Sequence, residues 1–148
     1  METKGTARRI VVGADGSPAS IGALQWAIEH ASQVGAEVEV ITGYDIPITI
    51  LVVPTYTTED YARDARTLLD HTVEQGTAGK QPEVPLSAKL VQEKPARALT
   101  QAAEGADLLV VGGRGRGELP GMHLGAVASY CVHHAPCPVL VYRSADTT

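Results

Sequence analysis

The chain reads as an α/β protein built on a parallel sheet, and three observations lead to that reading. Apolar runs of strand length alternate with segments whose apolar residues recur at helical spacing, from one end of the chain to the other. Two of those runs, Ile10-Val11-Val12 and Leu108-Leu109-Val110-Val111, are apolar throughout, as strands buried on both faces must be. The second run is followed at once by Gly112-Gly113-Arg114-Gly115 and then by a helix start near Ala126, the order in which α/β proteins build an anion site. Strand-helix-strand alternation makes the crossovers right-handed and the sheet parallel.

The elements follow in order. Residues 8–14 form the first strand, ended by Asp15-Gly16-Ser17-Pro18. Gly16 permits the turn, Ser17 suits an N-cap and Pro18 a first helical position. Ile21, Leu24, Ile28 and Ala31 recur at helical spacing to about Val34, and Gly35 stops the helix. Trp26 lies off that stripe and is read as packing at its edge. The second strand covers 38–42, with Gly43 at its end. Residues 44–58 are apolar but broken by Pro47 and Pro54, so 48–53 is either a short strand or a covering loop. Thr58, Glu59 and Asp60 open a second helix to about Gly76, with Tyr61, Ala65, Leu68, Leu69 and Val73 on its buried side. A third strand at 86–91, a helix from Pro95 to near Gly105, the glycine loop, a helix at 126–134 and a last strand at 139–142 complete the pattern.

Composition narrows the class. With 148 residues and 44% apolar, the chain forms one domain, 1–148, with a core of ordinary size. Twelve basic against seventeen acidic residues give a net charge of −5, which argues against a nucleic-acid partner. No apolar run is long enough to cross a bilayer, and the polar start 1–9 is not a signal peptide. Cys131 and Cys137 have neither redox nor metal spacing, so free thiols in a cytoplasmic protein are expected.

The glycine loop fits no generic phosphate motif. It lacks the Gly-Lys-Ser/Thr of a Walker A loop, and it lies too late for the dinucleotide fingerprint. Its glycines let a backbone approach a ligand and supply positive φ where needed, while Arg114 and Arg116 add positive charge. A flexible surface loop is the plainer alternative. Gly112, Gly115 and Gly125 keep the spacing Gly, two residues, Gly, nine residues, Gly, and the chain ends in Ala135-Pro136-Cys137-Pro138-Val139-Leu140-Val141. In these features, and in its first strand, the chain resembles the universal stress protein family over nearly its whole length.

That resemblance implies a three-layer, Rossmann-like fold of the adenine nucleotide alpha hydrolase-like kind, with five parallel strands in the order 3-2-1-4-5. Ligands in such sheets sit where the order reverses, here between the first and fourth strands. The resemblance implies binding of ATP or AMP, with Mg2+ as the companion of a triphosphate. The matching contact residues are Ala14 and Asp15, Gly43, Val111, Gly112, Arg114 and Gly115, and then Gly125, Ala126 and Val127. Asp15 is otherwise an Asx turn, Gly43 a simple turn residue and Arg114 a solvated arginine.

Two departures stand out. Ala126 occupies the family's Ser/Thr position, and Glu93 precedes Pro95 where relatives often carry glycine, so that it is expected to narrow the ribose side or add negative charge. Glu118 stands as an aid to a triphosphate-bound metal or as an exposed carboxylate; His123 has no base paired with it. His133 and His134 suit the negative end of the last helix better than a metal site. No catalytic constellation is visible, which leaves an adenine-nucleotide-binding stress-response protein first, a dimeric interaction protein with a degenerate pocket second, and a slow ATPase last. The resemblance also implies a homodimer paired through the last strand.

Overall fold

The computed structural model describes residues 8–47, 56–115 and 124–144. Their elements are β1 (Arg8–Gly13), α1 (Pro18–Val34), β2 (Ala36–Tyr44), α2 (Thr58–Thr77), β3 (Leu86–Gln92), α3 (Pro95–Ala102), β4 (Leu108–Gly112), α4 (Ala126–His134) and β5 (Val139–Tyr142). The sheet is parallel throughout, in the order β3-β2-β1-β4-β5. Residues 48–53, Glu118 and His123, for which the sequence raised alternatives, lie outside the described residues.

The register explains why β1 and β4 are apolar without alternation. Ile10 lies opposite Val38 and Leu108, and Val12 opposite Val40 and Val110, so Ile10, Val11 and Val12 each have a neighbour on both sides. Ile10, Val12, Val38, Val40 and Val110 face one layer, where Leu24 of α1 and Leu69 of α2 cover them. Val11, Ile41, Leu109 and Val111 face the other, under Ala98 and Leu99 of α3 and Ala128 and Cys131 of α4.

Helix α1 begins and ends where its punctuation says. The Ser17 hydroxyl accepts from the Ser20 amide at 3.1 Å, Pro18 opens the first turn, and Gly35 closes it at φ 75°, donating to the Ala31 carbonyl. Its inward face differs from the expected stripe. Ala19, Ala23, Leu24, Ala27 and Ala31 are buried, whereas Ile21 and Ile28 are half-buried. A row of methyl groups lets the helix axis approach the sheet, and the larger side chains are left to fill the flanks. At Gly22 the approach is closer still, since the Tyr142 ring occupies the space a β-carbon would need. Trp26 stacks on His30 with ring centroids 4.8 Å apart and packs at the edge of this layer.

Helix α2 is started by a capping box. The Asp60 amide donates to the Thr57 hydroxyl at 3.1 Å and the Thr57 amide to the Asp60 carboxylate at 2.9 Å. On the far side of the sheet, the Arg9 guanidinium donates to the carbonyls of Ala102 and Glu104, at the C-terminal end of α3, and pairs with Glu39 at 2.8 Å. Lys89 completes that cluster 3.3 Å from the other Glu39 oxygen. A cation at a helix C-terminus answers its unsatisfied carbonyls. In the last turn of α4, the Nδ1 atoms of His133 and His134 lie 2.8 and 3.0 Å from the carbonyls of Ser129 and Tyr130.

Both cysteines are free. Burial pushes the Cys131 thiol up to about 11, and burial also raises the half-buried Cys137. At about pH 8 a pKa of about 11 leaves roughly one Cys131 in a thousand as thiolate, and only thiolate reacts. Iodoacetamide should therefore modify the native protein at Cys137 first and leave Cys131 intact until unfolding. Equal modification of both, read by peptide mass, would contradict the packing of α4.

Candidate functional site

The crevice forms because β1 feeds α1 in one layer while β4 feeds α4 in the other, so the chain parts at their C-terminal ends. The end of β1 is fixed by β2 and α2. The Ala14 amide donates to the Ile41 carbonyl at 2.9 Å, and the Thr42 hydroxyl donates to the Ala14 carbonyl at 2.8 Å. The following turn is tied to α2, where buried Thr72 accepts from the Gly16 amide at 3.0 Å and donates to the Leu68 carbonyl at 2.8 Å. Gly16 has φ 81°, a left-handed conformation that suits glycine. Asp15 makes the Asx turn, its Oδ1 accepting from the Ser17 amide at 2.9 Å, and it also lines the crevice.

Across the crevice, β4 runs into the glycine loop. The Gly113 amide donates to the Tyr142 carbonyl and the Gly125 amide to the Gly113 carbonyl, both at 2.7 Å, so the loop leaves and returns at one point. Gly125 is the N-cap of α4 and has no side chain with which to cap it, so the first amides of the helix have no side-chain cap. Positive φ is not the reason for its glycine, since Gly125 sits at φ −73°. Close packing accounts for others. A β-carbon on Gly112 would lie 2.8 Å from Cβ of Ala19 and 3.0 Å from backbone atoms of Ala19 and Ser20. One on Gly43 would lie 2.8 Å from Cα of Pro95 and 2.9 Å from Cβ of Ala98. Gly43 is thus neither a turn residue nor the terminus of β2; it lies within the strand, where α3 starts against it.

The resulting cavity has a volume of about 380 Å³, within the usual range for small-ligand sites. Ala14 and Asp15 line it from just past β1, Gly43 from β2, Val111, Gly112, Arg114 and Gly115 from β4 and beyond, and Gly125 and Val127 from the start of α4. Ala126 does not. It is the first residue of α4 and is exposed, and its methyl group is not part of the cavity wall. Glu93 is also outside the lining. Its carboxylate turns back to accept from the Lys94 amide at 2.9 Å, so it does not narrow the crevice as its position in the sequence suggested.

The sequence reading missed the wall that α2 contributes: Tyr61, Asp64, Ala65 and Leu68, with Tyr44 beside them. Helical spacing offered the signal. Tyr61, Ala65 and Leu68 were visible as one face, and Asp64 lies three residues after the first and four before the last. Asp64 accepts a hydrogen bond from the Tyr56 hydroxyl, which holds that phenol above its ordinary value. Among the described residues no cluster of His, Cys, Asp and Glu is arranged to hold a metal ion, and no helix is long and apolar enough to cross a membrane.

Known proteins share this fold. Universal stress protein Rv2005c of Mycobacterium tuberculosis is 35% identical over 134 residues, covering 90% of this chain and 45% of its own length. The chain therefore spans about half the length of the curated relatives it matches. A universal stress protein solved in complex with cAMP superposes with a TM-score of 0.69 at 23% identity, covering 95% of this chain and 98% of that one. A universal stress protein family member from Arabidopsis thaliana, solved with AMP bound, gives 0.60 at 20% identity, covering 95% of each chain. At those identities the likeness is one of fold. The model of the universal stress protein family itself matches residues 6–143, from before β1 to past β5, and with it the chain belongs to the universal stress protein family.

Proposed function

We propose that the chain binds an adenine nucleotide, AMP or ATP, in the crevice between β1 and β4, and serves as a stress-response binding protein without fast catalysis. One observation carries the reading: the glycine loop and the uncapped start of α4 face Asp15 across a single cavity of nucleotide size. Helix amides and Arg114 suit the phosphates, and the apolar wall at the other end suits a base. Family members with AMP and cAMP bound support this choice of ligand. Mg2+ enters only as the companion of ATP. Calorimetric titration with AMP, ATP and cAMP tests the reading, and phosphate release over hours tests for slow ATP hydrolysis. Failure of all three nucleotides to bind would overturn it.

Ala126 favours a second reading, a homodimer acting through partner contacts around a degenerate pocket, since the family's hydroxyl is missing from α4. The edge strand β5 is apolar and half-buried, a poorly guarded edge open to pairing with a second copy. Leu140→Pro would remove a backbone donor there, and is expected to give a monomer or insoluble protein; light scattering at micromolar concentration checks it. A monomeric wild type would end the dimer reading. Ala126→Ser tests whether residue 126 stands near the phosphates. Because residue 126 starts α4 but stands outside the cavity wall, its hydroxyl is expected to raise ATP affinity only a few-fold, at about 1 kcal/mol or less, and to leave adenosine unchanged.

A further inference from the structure

The cavity has two chemically distinct ends. At one, Gly112, Arg114, Gly115 and the start of α4 offer backbone amides and a guanidinium. At the other, Tyr44 of β2 and Tyr61, Ala65 and Leu68 of α2 make an aromatic and apolar wall, with a single charged group set into it, Asp64. That carboxylate is held from the side. The Tyr56 hydroxyl donates to its Oδ2, and the Tyr56 ring meets Tyr61 edge-on with centroids 4.9 Å apart. Asp15, the other carboxylate in the lining, has its Oδ1 turned to the Ser17 amide.

We infer that Asp64 selects the base of the bound nucleotide, its Oδ1 accepting from the exocyclic amine of a 6-aminopurine. The inference rests on the nucleotide reading above and adds a specificity-determining residue to it. A carboxylate accepts and cannot donate, so it rewards an N–H and repels a carbonyl oxygen at the same position of the ring. It also repels phosphate, which fixes the direction in which the ligand lies. Tyr56 occupies one oxygen, leaving the other for one donor. The paired N–H groups of a guanine edge call for both oxygens at once, so the arrangement suits adenine better.

Calorimetric titration of the full chain with AMP, IMP and GMP, for the wild type and Asp64→Asn, tests this. The wild type should bind AMP roughly tenfold more tightly than IMP, the effect of one charge-assisted hydrogen bond at a partly solvated site. An asparagine amide can accept from an amine or donate to a carbonyl, so the variant should bind the two with nearly equal affinity. Asp64 is exposed, and circular dichroism together with unchanged binding of ribose 5-phosphate would show that the variant keeps its fold and its phosphate end. Equal wild-type affinity for AMP and IMP, or a variant that keeps the preference, would overturn the role of Asp64 and leave the nucleotide site standing. Tighter binding of GMP than of AMP would overturn the choice of base. Binding of none of them would overturn the site as well.

Discussion

Gly112→Val is expected to lower the free energy of unfolding by about 3 kcal/mol, while Gly113→Ala one residue along changes it by less than about 1 kcal/mol. The two glycines are adjacent, one ending β4 and the other just past it, yet their surroundings differ in kind. A β-carbon at 112 would meet Cβ of Ala19 at 2.8 Å and backbone atoms at 3.0 Å, and neither can rotate away. The start of α1 would have to lift from β4, and the buried face behind Ala19 and Ala23 would lift with it. At 113 the nearest atom is Cγ1 of Val141 at 3.3 Å, and the next is the Tyr142 carbonyl at 3.4 Å, so small movements suffice. Urea unfolding followed by the fluorescence of the sole tryptophan, Trp26, reads both variants. Equal costs at the two positions would show that α1 is not seated against β4 as described.

Gly115→Val addresses the ligand instead of the fold. Gly115 lines the cavity beside Arg114, at the end assigned to phosphate. A branched side chain there would stand where the phosphates approach the backbone and would separate them from the donors. Loss of two charge-assisted hydrogen bonds weakens binding by at least about a hundredfold. AMP and ATP should then show no measurable heat of binding, while circular dichroism stays close to that of the wild type. Undiminished affinity would place the phosphates elsewhere and leave the loop a structural role.

What could be read from the chain, and what could not, divides along a physical line. Caps and breakers act within a few residues, so Ser17, Pro18 and Gly35 placed both ends of α1, and Pro95 the start of α3. The apolar runs of β1 and β4 pointed to the middle of the sheet because only central strands are buried on two faces. The order of the strands came from family resemblance, since the spacing of elements does not encode it. Side-chain size misled the reading of α1, where the alanines face the sheet and the isoleucines flank it. The reasons for Gly43 and Gly112 were out of reach for a similar cause, because each is small to admit an element distant in sequence. Asp64 was missed because a charged residue on a helix is first taken as solvated. Ala126 shows the reverse: a position carried over from a motif reached α4, but not the cavity wall.

The hydrogen bond from Gly125 back to Gly113 has an evolutionary consequence. The segment it closes is fastened at its base to β5 through Gly113 and Tyr142, so its length is decoupled from the registry of the sheet. Doubling the number of residues between two such fixed points costs only about 0.6 kcal/mol in closure entropy. Insertions and deletions between Arg114 and Leu124 are therefore nearly free for the fold, whereas a single methyl group added just before the knot, at Gly112, is not. Lineages of this chain can vary the length of that segment without refashioning the sheet beneath.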